Sequence, residues 1–127
     1  MLRKLGYGLL FAGALFSASA FSTNLHEFNV GISLDYELPP NDPQEFVNSW
    51  FWTITSVCTI HSQDSSNPIL IEVLKRSGKI NGTELSEGDN IYVTVHDGDK
   101  VTIVADSGGK VRLTNKGPHT ISASCSA

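Results

Sequence analysis

The stretch "NIYVTVHDGDKVTIVA", residues 90–105, sets two runs of alternating apolar and polar residues on either side of Asp97-Gly98. A period of two, carried by β-branched and aromatic residues, predicts half-buried strands over 90–96 and 99–105. Asp-Gly between such runs is the strongest hairpin signal in the chain, because that dipeptide supplies the positive φ a tight strand reversal needs. A chain assembled from units of this kind is all-β.

The same period recurs outward in both directions. It predicts strands near 27–34, 50–61, 68–75, 110–115 and 119–125, and a shorter one near 78–85 interrupted by Asn81-Gly82. Turn residues separate them: Ser86-Glu87-Gly88-Asp89, Ser107-Gly108-Gly109 and Lys116-Gly117-Pro118. Many short strands joined by tight turns predict an antiparallel two-sheet β-sandwich, immunoglobulin-like in architecture, with a small β-barrel as the alternative. The segment "DYELPPNDPQEFVNS", 35–49, is rich in proline and acid and breaks the alternation. It reads as a crossover loop with room for one helical turn, capped by Asp42 with Pro43 at its first position and Glu45 reaching back.

The chain opens "MLRKLGYGLLFAGALFSASA", with Arg3 and Lys4, an apolar run from Leu5 to Phe16 and an Ala18-Ser19-Ala20 ending. That is the layout of a cleaved signal peptide over 1–20, bacterial in style, and its apolar run is shorter than the roughly 20 residues a membrane span needs. Export to the periplasm or beyond is the expected localisation. Removing 20 of 127 residues leaves 107, one domain over 21–127. Losing Arg3 and Lys4 leaves seven basic residues of the nine against 13 acidic ones, a net charge of −6. An acidic surface with scattered cations disfavours nucleic acid and anionic membrane, so the expected partner is another protein.

In an oxidising compartment the two cysteines, Cys58 and Cys125, have one partner each and are expected to form a disulfide. They organise the reading of "SWFWTITSVCTI", residues 49–60. By parity Trp50, Trp52, Ile54, Ser56, Cys58 and Ile60 share a face, and the bridge makes it the core face. Trp52 is then expected to be buried and Trp50 to sit at the mouth of that face. Phe51 lies opposite and is either covered by the 35–49 loop through Leu38 and Phe46 or free to bind. Trp50 and Phe51 are thus the candidate binding residues.

The bridge is similar to that of immunoglobulin domains, but there a core Trp follows the first Cys and another strand follows the second. Here both Trp residues precede Cys58 and the sequence ends two residues after Cys125. The likeness therefore implies architecture without membership.

Other motifs are weaker. Asp106-Ser107-Gly108-Gly109 resembles the nucleophile segment of chymotrypsin-like proteases, yet that chemistry needs a His base and an Asp orienter between two barrels. Cys58 and His61 are an odd number of residues apart, so a strand points them to opposite faces. His26, His61, His96 and His119 show no ligand spacing, and Asp97 and Asp99, with Glu87 and Asp89, lack a calcium-loop pattern. Asn81-Gly82-Thr83 fits a glycosylation acceptor and equally a turn. No catalytic residue, metal or cofactor is expected. The function that remains is a non-enzymatic binding or structural module. The alternatives are a small secreted hydrolase with its site at a loop pole, and an inhibitor or effector that docks on another protein.

Overall fold

The computed structural model describes residues 24–127, and the signal peptide expected over 1–20 lies outside them. Two antiparallel-dominated sheets face each other, and no helix occurs among the described residues. The strands are β1 (Leu25–Glu27), β2 (Ser33–Leu38), β3 (Gln44–Val47), β4 (Ile54–His61), β5 (Asn67–Lys75), β6 (Ser77–Ile80), β7 (Thr83–Ser86), β8 (Asn90–Val95), β9 (Lys100–Ala105), β10 (Lys110–Asn115) and β11 (Ile121–Ser126). Sheet I runs β2-β11-β4-β9-β6-β7, and sheet II runs β1-β3-β10-β5-β8. Each sheet has two free ends, so the architecture is a sandwich and not a barrel.

Read in chain order, every connection but one carries the chain from one sheet to the other. The exception is Asn81-Gly82, whose residues both take positive φ and close the β6–β7 hairpin. This corrects the expectation for Asp97-Gly98. β8 pairs with β5 in sheet II, and β9 pairs with β4 in sheet I. The turn is claimed by sheet I before it can fold back: Gly98 N donates to the Ile60 carbonyl, Ile60 N donates to the Asp99 carbonyl, and Ser62 N donates to Asp97 Oδ1. Tertiary pairing overrides the local signal.

Alternation then builds the core. Ile54, Ser56, Cys58 and Ile60 of β4, with Val101, Ile103 and Ala105 of β9 and Ile121 and Ala123 of β11, face Ile69, Ile71 and Val73 of β5 and Val111 and Leu113 of β10. Cys58 and Cys125 are bonded, as expected. They are direct partners on neighbouring antiparallel strands, with Cα atoms 4.0 Å apart, so the bridge staples β4 to β11 within sheet I and does not span the sandwich as an immunoglobulin bridge does.

The segment 35–49 departs furthest from its expectation. Ser33–Leu38 and Gln44–Val47 are strands, and no helical turn forms at Asp42-Pro43. Leu34, Tyr36 and Leu38 turn inward and Asp35 and Glu37 outward, an alternation that the neighbouring prolines hide. β2 covers β11 as an edge strand, while β3 pairs with β10.

Candidate functional site

β3 belongs to sheet II and β4 to sheet I, so residues 48–53 must cross between them. Asn48 organises the crossing from a fully buried position. Its Nδ2 donates to the carbonyls of Trp52, Ala105 and Asp106 at 2.9, 3.0 and 3.2 Å, and its Oδ1 accepts from Trp50 N at 2.9 Å. Its own backbone pairs with the β9–β10 turn, where Asn48 N donates to the Gly109 carbonyl and Gly108 N to the Asn48 carbonyl. Ser107 adds a bond from its hydroxyl to the Trp50 carbonyl at 2.7 Å. On the other side Ser49 Oγ donates to Glu27 Oε1, and Trp50 Nε1 donates to the Phe28 carbonyl at 2.9 Å.

A loop held at so many points presents its remaining side chains in a fixed pose. Trp50 is half-buried against the core, and Trp52 leans on it with ring centroids 5.0 Å apart. Phe51, at the tip, is 93% exposed and Trp52 is 52% exposed. The 28–32 loop, joined to this one through the Trp50–Phe28 bond, adds exposed Val30 and Ile32.

Two expectations therefore change. Trp52 is not a core residue, because β4 begins at Ile54 and strand parity does not reach back past Thr53. Nor does the 35–49 segment cover Phe51: Leu38 and Phe46 point into the core instead. Trp50 and Phe51 do lie on one loop, with Trp50 as its root and Phe51 as its tip. Asn48, which fixes both, carried no sequence signal beyond being an asparagine at the end of an apolar run.

The remaining candidates are dispersed. β9 separates Ser107 from the His96–Asp99 turn by a strand of about 20 Å. His96 Nδ1 meets Asp99 Oδ2 at 3.0 Å and His119 Nδ1 meets Asp64 at 3.1 Å, both exposed pairs. His26 is instead part of an aromatic cluster, stacked on Phe46 and bonded to Gln44. The acids of the Gly-rich turns cap backbone N–H groups: Asp99 takes His96 N, Asp89 takes Ser86 N, and Glu87 takes Arg76 N. Hydrogen bonds from the backbone and side chain of His96 hold the Asp99 carboxyl below its ordinary value. Between the sheets, beside the disulfide, about 30 Å³ stays free, room for a water or two.

Comparison with protein-family models, with curated proteins and with solved structures finds no match to this chain.

Proposed function

We propose that the mature chain is exported and works as a non-enzymatic binding module whose Trp50-Phe51-Trp52 loop docks into another protein. The observation that carries the reading is Phe51, 93% exposed at the tip of a loop pinned by Asn48 and Ser107. An aromatic ring left in water forgoes roughly 1.5–3 kcal/mol of burial, which a partner pocket returns. Because the loop is already ordered, little conformational entropy is lost on docking. Aromatic anchors of this type dominate interface energies. The Cys58–Cys125 bridge supports an oxidising compartment.

The test is Phe51→Ser in the exported protein, with partner recovery by affinity capture from the native compartment. An unchanged melting temperature with loss of the captured partner is expected. Recovery equal to the parent's overturns the assignment, as does a large fall in melting temperature.

A further inference from the structure

We propose that the chain forms a two-fold dimer by pairing β8 with β8 of a second copy, antiparallel, with Tyr92 opposite Tyr92. Among the described residues β8 is the end of sheet II and pairs with β5 alone. Two observations fix which of its backbone groups are free. Lys116 N donates to the Pro68 carbonyl, so Pro68, Leu70 and Glu72 turn their backbone groups toward β10. Val73 exchanges bonds with Gly88 and Asp89, so Ile69, Ile71 and Val73 turn theirs toward β8. Across the β5–β8 ladder their partners Val93 and Ile91 face β5 in return. The N–H and C=O groups of Asn90, Tyr92 and Thr94 therefore point out of the sheet edge.

The other edges are blunted in the usual ways: β1 is three residues long, β2 carries exposed Asp35 and Glu37, and β7 is short and carries Glu84. β8 is six residues without a charge, a bulge or a proline. A second copy of so acidic a chain is repelled at β2 and β7, whereas the six residues of β8 carry no charge and the acids of its flanking turns, Glu87 and Asp97 among them, lie beyond the ends of the ladder. The occupant is a second copy because the edge is self-complementary. A two-fold axis normal to the sheet keeps outer face with outer face, so residues of equal parity must oppose one another. Centring on Tyr92 pairs Asn90 with Thr94 and uses every outward group. Centring on Val93 would ask for His96 N, which Asp99 Oδ2 already holds at 2.8 Å. The Tyr92 register also sets Ile91 beside Val93 on the inner face, where both are only half-buried in one copy.

Sedimentation velocity over a concentration series tests the idea. The parent should shift from monomer to dimer, and Thr94→Pro, which removes an N–H that β5 does not use, should remain monomeric. Tyr92→Lys, which sets two cations across the axis and leaves the ladder intact, should also be monomeric, so a misfolded proline variant would not obscure the result. For the register, Tyr92→Cys should give a disulfide-linked dimer on oxidation. Asn90→Cys and Thr94→Cys should each fail alone and cross-link when mixed. A parent that stays monomeric to about 1 mM, including one that instead takes up an added strand peptide, overturns the second copy as occupant. A dimer that survives both Thr94→Pro and Tyr92→Lys, or cross-links in another register, overturns the edge or its alignment.

Discussion

Ser107 donates its hydroxyl to the Trp50 carbonyl at 2.7 Å, tying the β9–β10 turn to the root of the aromatic loop. The residue that most resembles a nucleophile in the sequence is thus employed as a strut. Its Gly-Gly neighbours have backbone reasons to be there: Gly108 has φ +77°, and a Cβ on Gly109 would lie 2.8 Å from the Asp106 carbonyl oxygen. Ser107→Ala should cost about 1 kcal/mol in urea unfolding, the ordinary worth of one such bond. A serine-directed fluorophosphonate should leave the folded parent unlabelled. Selective labelling of folded protein at Ser107 would show an activated hydroxyl and contradict the strut.

The two tryptophans should separate in their energetics. Trp52 is 52% exposed, so Trp52→Ala should cost about 2 kcal/mol or less, against the 3–5 kcal/mol of a fully buried ring. Trp50 is packed on the core and bonded to Phe28, so Trp50→Ala should cost more than Trp52→Ala. Phe51→Ala should stay within about 0.5 kcal/mol of the parent. Denaturant midpoints at constant slope check the ranking.

Most strands are legible in the sequence because a sheet with one covered face imposes a period of two: burial alternates without interruption over 54–61, 90–95 and 100–105. What the turns do not reveal is the partner. Asp97-Gly98 reverses the chain in either case, and only the pairing of β9 with β4 and of β8 with β5 makes it a crossing instead of a hairpin. β2 escapes reading because its outward positions are acids beside Pro39 and Pro40, and because much of its stability comes from β11, including Ser124 Oγ donating to Asp35. The candidate loop is visible as a cluster of aromatics, but its pose is not. Asn48, four residues from Trp52 in sequence, takes the Trp52 carbonyl to itself and delays the start of β4 to Ile54.

Acid should weaken the fold through Glu45. It lies opposite Arg112 in the β3–β10 ladder, with Lys110 Nζ at 3.2 Å and Arg112 Nη2 at 3.1 Å. Partial burial pushes the carboxyl up, but hydrogen bonds and charge from Lys110 and Arg112 outweigh it and hold the group below its ordinary value of 4.5. A depressed carboxylate stabilises the folded state fully above that ordinary value, and the contribution fades as pH falls through the lower folded one. Glu45→Gln should therefore be less stable than the parent at neutral pH, and the gap should close as pH drops below 4.5. Urea midpoints of the pair across the acid range measure it, and a gap independent of pH would rule out the charge as its source.

Asn48 should be the most sensitive polar residue of the site. It is fully buried, and truncation to Ala would strip a donor from the carbonyls of Trp52 and Ala105, leave that of Asp106 with Gly109 N alone, and open a void. Each buried acceptor left unpaired costs about 1–3 kcal/mol, so Asn48→Ala should lose about 3 kcal/mol or more, a large fraction of the stability of a domain this size. Asn48→Asp keeps the volume but replaces the donating amide with a second acceptor, aimed at carbonyl oxygens. It should be at least as damaging as the alanine at neutral pH. Asn48→Asp should recover part of the loss in acid, where the protonated carboxyl can donate once. Denaturant unfolding of both variants at two pH values tests this, with Trp fluorescence reporting whether Trp50 leaves its seat on Phe28. If Asn48→Asp matches the parent at neutral pH, the amide is not what holds the loop, and the rigid presentation of Phe51 loses its basis.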